Sequence, residues 1–232
     1  MSERIAVITG AGQGAGRTIA LQLAAQGFHV ELLGRTASKL ESVASEIGDK
    51  AHTYTLDLTS RAQLQAFMDD VQKRFDHVDV LVNCAGEAYI STLDQTNDDD
   101  LERILAINLR VPIQMARGLL PLLRKSANAS IINILSKVSL GGYPEVAAYT
   151  AAKTGLLGFS KSLAAELRAD GIRVGAICPG AMDTPMRWNA TPDIERRLVI
   201  DPQVVADMVW HIANLPKGVV TGEILLQSIY YE

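Results

Sequence analysis

Short runs of β-branched and aliphatic residues alternate with helical patterns from one end of this chain to the other. No other feature restricts the fold as much. Arg4–Thr9 is the first apolar run, and a glycine cluster follows it. Arg17–Gln26 repeats apolar residues at helical spacing and stops at Gly27, a natural C-terminal cap. Phe28–Leu33 reads as a second strand and Ala37–Ile47 as a helix ended by Gly48. Ala51–Leu56, Val78–Asn83, Ala129–Leu135 and Ile172–Ile177 read as further strands, with helices near 60–75, 98–123 and 148–169. A helix about 202–214 and a strand near 222–227 close the series. The run Asp98-Asp99-Asp100 after Asn97 reads as a helix start, where acids complement the dipole. Strand–helix alternation predicts a doubly wound α/β fold: about seven parallel strands, helices on both faces, right-handed crossovers.

The size fits that reading. The chain has 232 residues, 48% of them hydrophobic and 21% charged, enough for one domain over 1–232 with a large core. The net charge is -4, and no basic run exceeds two residues, which speaks against nucleic acid as a partner. No apolar stretch approaches a bilayer span, so no membrane partner is expected. Met1-Ser2-Glu3-Arg4 runs straight into a strand with no signal peptide visible, and a cytoplasmic location is expected. Cys84 and Cys178 form no metal-type or redox-type motif and read as reduced thiols. His29, His52, His77 and His211 are scattered, so no metal is expected.

Two patterns carry chemistry. The first strand runs into Thr9-Gly10-Ala11-Gly12-Gln13-Gly14-Ala15-Gly16. A glycine turn between a strand and a helix aims helix N-terminal amides at a pyrophosphate. Gly10, Gly12 and Ala15 match the common dinucleotide fingerprint, and Gly10, Gly14 and Gly16 match a second spacing. The other pattern is Tyr149-Thr150-Ala151-Ala152-Lys153. Four residues apart on a helix, the phenol and the ammonium share a face. A positive charge there is expected to lower the phenol pKa and ready it for proton transfer.

With these motifs in this order, the chain resembles the classical short-chain dehydrogenases/reductases over nearly its whole length. The resemblance implies a Rossmann-type sheet. Thr9–Gly16 looks like the family's cofactor loop, with Gln13 and Ala15 among its contacts. Asp57, with Leu58 beside it, looks like the adenine contact. Asn83-Cys84-Ala85-Gly86 is similar to Asn-Asn-Ala-Gly, placing Asn83, Ala85 and Gly86 at the cofactor. Pro179-Gly180-Ala181-Met182-Asp183-Thr184 matches the Pro-Gly-x-x-x-Thr turn at the nicotinamide end, which implicates Pro179, Gly180, Met182 and Thr184. Asn108, Ser136, Tyr149 and Lys153 match the catalytic positions. By resemblance, Tyr149 exchanges the proton, Lys153 lowers its pKa and holds the nicotinamide ribose, Ser136 hydrogen-bonds the substrate oxygen, and Asn108 holds a relay water.

The implied activity is hydride transfer between NAD(P)(H) and a carbonyl/alcohol pair, expected as NADPH-dependent reduction of a small or acyl-type ketone. Two alternatives stand beside it: an inactive nucleotide-binding sensor or scaffold, and an epimerase or dehydratase of the same family. NADP(H) is favoured over NAD(H). The second strand ends Leu32-Leu33-Gly34-Arg35-Thr36 without an acid, Glu31 lies too early, and Arg35 can pair with a 2′-phosphate. Residues 183–200, broken by Pro185 and Pro192, are expected to form a substrate lid with at most a short helix. Met182, Met186 and Trp188 would face Tyr143 and Val146 across the substrate. The helices at 98–123 and 148–169, the second rich in small residues, are expected to pair in a homodimer or homotetramer. The segment Thr221–Glu232 departs from the family's Asp-Gly-Gly ending.

Overall fold

The first strand, β1 (Arg4–Thr9), lies in the middle of the sheet, with β2 (Phe28–Gly34) on one side and β4 (Val80–Asn83) on the other. The structure, a computed structural model, describes residues 3–231. β3 (Ala51–Thr55) lies outside β2. Beyond β4 come β5 (Ser130–Ile134), β6 (Arg173–Pro179) and β7 (Glu223–Leu226), giving the order β3-β2-β1-β4-β5-β6-β7. Every neighbouring pair is parallel. The strand order reverses between β1 and β4, and a crevice opens there beyond the C-terminal strand ends.

The sheet is buried on both faces, so its strands read as continuous apolar runs. Alternate residues go to opposite layers. Ala6, Ile8, Val30, Leu32, Val80 and Val82 pack on one side against α1 (Gly14–Ala25), α2 (Ala37–Ile47) and α8 (Pro202–Ala213). Ile5, Val7, Leu33 and Leu81 pack on the other against α3 (Arg61–Arg74) and α5 (Val111–Leu123). Glu31 is fully buried in β2, held by Arg74 at 2.9 Å, His29 at 3.0 Å and His52 at 3.2 Å.

The expected helix over 98–123 is three pieces: α4 (Asp98–Leu105), a wider π-helical turn Ala106–Arg110, and α5. Pro112 supplies the reason. It has no N–H for the carbonyl four residues back, which is that of Asn108, and its ring crowds that carbonyl. Asn97 caps α4 as expected, accepting from the Asp100 amide at 2.8 Å. α1 begins at Gly14 rather than Arg17, because its first turn is glycine and alanine and shows no apolar period. The last long helix, α6 (Ala147–Glu166), leaves Ala151, Thr154 and Gly158 exposed. Ala152 and Ser160, two of its small residues, are instead buried against their own sheet. Between β6 and α8 lie α7 (Pro185–Ala190) and one short 3₁₀ turn, Arg196–Leu198, one helical piece more than the single short helix expected of 183–200. Among the described residues no helix is long and apolar enough to cross a membrane.

The tightest packing joins α1 to β1. A Cβ on Gly16 would lie 2.2 Å from the Gly10 carbonyl oxygen, a backbone atom that cannot step aside. Gly16→Ala is expected to lose about 2–3 kcal/mol of stability. The lowered urea midpoint would report it. Gly222→Ala, with nothing within 4 Å, should leave the midpoint unchanged.

Candidate active site

A cleft of about 440 Å³ lies over the C-terminal ends of the strands, lined by loops that follow β1 to β4, by β5, by α6 and by the start of α7. The glycine loop forms its floor. Gly10 and Gly14 have φ of +72° and +55°, a region that favours glycine. The Gly10 and Ala11 amides both donate to the Leu33 carbonyl, at 2.8 and 3.1 Å, which turns the chain sharply after β1. α1 then starts at the cleft with no side-chain cap and no acid in its first turn. Its free amides and positive dipole end face the space that Gly12, Gln13, Gly14 and Ala15 line. A Cβ on Gly14 would reach within 3.3 Å of Thr184 on the opposite wall. This cradle fits the diphosphate of a dinucleotide.

The Thr9 hydroxyl joins the two strands that flank the crevice. It accepts from the Cys84 and Ala85 amides, both at 3.0 Å, and donates to the Val82 carbonyl at 3.3 Å. Ala85 and Gly86 then line the cleft. Asn108, fully buried in the π-helical turn, clamps the next residue: it accepts from the Glu87 amide at 3.3 Å and donates to the Glu87 carbonyl at 3.0 Å. Its amide nitrogen also reaches the Ile104 carbonyl at 3.1 Å. A Cβ on Gly86 would collide with Asn108 at 2.7 Å and touch the Lys153 ammonium at 3.4 Å. Asn108, Gly86 and Lys153 are thus in direct succession.

Lys153 and Tyr149 both line the cleft from α6. Lys153 is 4% exposed and donates to the Ile134 carbonyl at 3.0 Å. Burial pulls its pKa down to about 8. The phenol differs from the expectation. Burial pushes Tyr149 up to about 12, opposed by a hydrogen bond with Ser136 and by the positive charge of Arg187. The Lys153 nitrogen lies 5.9 Å from the Tyr149 ring centre and spends its bond on the strand. The shared helix face is real, but the carbonyl at the end of β5 claims the ammonium.

At the far end of the cleft, Gly34, Arg35 and Thr36 follow β2, and Asp57 and Leu58 follow β3. Thr59 donates to Asp57 through its amide at 2.9 Å and its hydroxyl at 2.8 Å. These bonds, with the Arg35 charge, hold the Asp57 carboxyl below its ordinary pKa. Lys39, from the first turn of α2, also lines this end and its ammonium is hydrogen-bonded to the Gln13 side chain. Sequence reasoning missed Lys39. No local spacing marked it: Arg35 lies before the Thr36 cap of α2, so helical period does not relate the two cations.

Several expected contacts lie elsewhere. Asn83 is 2% exposed and turns away from the cleft, donating to Asn133 at 2.8 Å, which donates in turn to Ser160 at 2.8 Å. A strand residue followed by a cleft residue faces the core by alternation. Pro179 ends β6, and Gly180 donates to the Leu226 carbonyl at 2.7 Å, so this turn reaches the cleft only through Met182 and Thr184. Met186 lines the cleft; Tyr143 and Val146 do not. Ser136 caps a turn through the Val138 amide at 3.4 Å and meets the cleft through Tyr149. Trp188 faces away from the cleft, where it donates to Asp183 at 2.7 Å and Arg196 stacks on it at 4.9 Å. Two positions beyond Met186 on α7, it is carried about 200° around the helix. Arg187 is half-buried and bonded to Thr191 at 2.9 Å. Burial pushes both thiols, Cys84 and Cys178, up to about 11, so neither is a nucleophile at neutral pH.

Residues 4–195 match the family model described as short chain dehydrogenase. The chain is 29% identical to an uncharacterized oxidoreductase of Staphylococcus epidermidis, covering 99% of each protein. It superposes on an alcohol dehydrogenase of the archaeon Thermococcus sibiricus, solved with 5-hydroxy-NADP, with a TM-score of 0.91 and 27% identity, covering 100% of this chain and 99% of that one. A 3-ketoacyl-(acyl-carrier-protein) reductase of Brucella melitensis, solved with NADH, matches with a TM-score of 0.88 and 27% identity over 97% of each chain.

The buried ammonium has a cost that can be measured. Between pH 8 and 10.5 the unfolded chain keeps a proton on Lys153 that the folded chain has released, so stability rises with pH through that window. Lys153→Met removes the penalty at the loss of one hydrogen bond. The variant is expected to be more stable than wild type at pH 7 by about 1–3 kcal/mol, the difference fading above pH 10.5. Urea denaturation across that range checks it, and a less stable variant at pH 7 would contradict it.

Proposed function

The chain belongs to the short-chain dehydrogenase family, which supports an oxidoreductase acting on CH–OH and C=O groups with a nicotinamide cofactor, and from that premise we propose that it is an NADP(H)-dependent reductase of a small or acyl-type ketone. The observation that carries this reading is the convergence of Tyr149, Lys153 and the glycine loop on one cleft. The nicotinamide supplies the hydride when bound.

The chain's own residues do the rest. Uncapped amides at the start of α1 receive the diphosphate, and Met182 and Thr184 border the nicotinamide end. Tyr149 donates its phenolic proton to the carbonyl oxygen as that oxygen gains charge. A phenol held near 12 keeps its proton at neutral pH but gives it up less readily than an ordinary one, so the opposing pull of Ser136 and Arg187 favours transfer. Ser136, bonded to the same phenol, stabilises the oxygen from a second direction. Lys153, with a pKa near 8, stands within reach of proton exchange at physiological pH. Asn108 fixes the loop wall beside Lys153 through its bonds to the Glu87 and Ile104 backbone. Met186 provides apolar contact on the lid side.

Two cations support NADP(H) over NAD(H). Arg35 and Lys39 border the adenosine end together with Gly34. The glycine loop brings no cation of its own, but Gln13 takes the Lys39 ammonium. The nearest acid, Asp57, is bonded to Thr59 and balanced by Arg35. The acyl-type substrate rests on the Brucella relative.

Assays with NADPH and a panel of ketones test the activity. Tyr149→Phe is expected to lower kcat by ~10²–10⁴-fold with NADPH affinity unchanged. Turnover within a few-fold of wild type would remove Tyr149 from the reaction. For the cofactor, Arg35→Ala and Lys39→Ala should each weaken NADPH binding by about tenfold or more and leave NADH within about twofold. Direct titration by fluorescence measures both. A wild-type chain that binds NADH as tightly as NADPH would refute the preference.

A further inference from the structure

Lys137 follows Ser136 in the chain, and its ammonium has two aromatic rings against it. The Tyr231 ring centre lies 3.1 Å away and that of Tyr143 4.8 Å away. Among the described residues Lys137 has no acidic partner within salt-bridge distance. Tyr231 belongs to the short segment after β7. The same segment also reaches the lid: the Ser228 hydroxyl donates to the Arg197 carbonyl at 2.6 Å, and the Arg197 guanidinium lies 6.0 Å from the Tyr230 ring centre. The segment is itself turned back, with the Tyr231 amide donating to the Ser228 carbonyl at 3.1 Å.

We propose that residues 228–231 form a strap across the substrate side of the site, with Tyr231 holding Lys137, and through it Ser136, while Ser228 holds the lid at Arg197. Tyr231 is a positioning residue: it acts on the substrate oxygen only through the turn that carries Ser136. That turn needs support from outside. It is a single 3₁₀ turn, Lys137–Leu140, capped weakly by Ser136 itself. An ammonium held against aromatic rings fixes the residue next to Ser136, and among the described residues it does so without a paired carboxylate. A carboxylate there would repel the charge that develops on that oxygen during reduction. The strap also couples two parts of the site that are distant in sequence, the Ser136 turn and the lid. The inference rests on the proposed role of Ser136.

The experiment has two arms that separate these ideas. In the first, Tyr231→Ala, Tyr231→Phe and Tyr231→Leu are compared in carbonyl reduction and in NADPH affinity by direct titration. Tyr231→Ala should lower kcat/KM by about threefold to thirtyfold. NADPH affinity should stay unchanged, Phe should restore activity, and Leu should not. Equal activity of the Leu and Phe variants, or no effect of Ala, would overturn the clamp. In the second arm, trypsin cleavage after Arg197 is timed in wild type and in Ser228→Ala. Cleavage several-fold faster in the variant supports the strap, and equal rates overturn it. This arm needs no turnover. If the wild-type chain reduced no carbonyl, the proposed activity would fail while the strap would still be judged by the protease.

Discussion

The hydroxyl of Thr9 is the point on which the site depends. It takes two amides from the end of β4 and gives its proton to the same strand, fixing β1 and β4 together at the place where strand order reverses. From there the contacts are nearly continuous. Cys84 and Ala85 lead to Gly86, where a Cβ would meet both Asn108 and Lys153, and Asn108 grips Glu87. On the other strand, Gly10 comes within 2.9 Å of the Ala85 Cα, measured from the Cβ it lacks. No side chain larger than hydrogen fits between the two loops. The cleft is therefore a product of backbone proximity, and its reactive side chains are added to a wall already fixed.

That arrangement places charge where solvent cannot relieve it. Lys153 lies at the edge of the core with one carbonyl for a partner. A chain selected only for stability would have an apolar residue there. Tyr149 presents the complementary case: burial keeps its proton on, and Ser136 and Arg187 oppose that hold. Burial drives the two groups apart: ordinary lysine and tyrosine titrate close together, whereas here Lys153 falls to about 8 and Tyr149 rises to about 12. Of the two, only the lysine titrates near neutral pH.

Much of this was legible in the sequence because the fold is built from local periods. β1 and α2 have the predicted bounds, and the remaining strands differ by a few residues at their ends. The glycine loop and the Tyr149–Lys153 pair were readable since both depend on spacing along one element. What failed depends on the third dimension. Trp188 and Met186 are two residues apart, and only the helix sense of α7 decides which meets the cleft. Asn83 and Gly86 belong to one motif, yet strand alternation turns the first inward. Lys39 was invisible as a ligand-side cation because its partner, Gln13, comes from another loop. Pro112 did carry a local signal of the break in the helix before α5, one that period counting overlooks.

The π-helical turn has a consequence for how the sequence can change length. A regular helix advances about 100° per residue, so every insertion or deletion rotates whatever follows. The widened turn at Ala106–Arg110 sets the angular offset between two inward-facing sets: Ile104 and Asn108 on one side, Met115 and Leu119 on the other. Removing one residue there would restore an ordinary turn and shift that offset. Either Asn108 would swing off the Glu87 backbone, or the α5 stripe would leave the sheet. The surplus residue therefore acts as a phase key, and the length of this stretch is under tighter constraint than its composition.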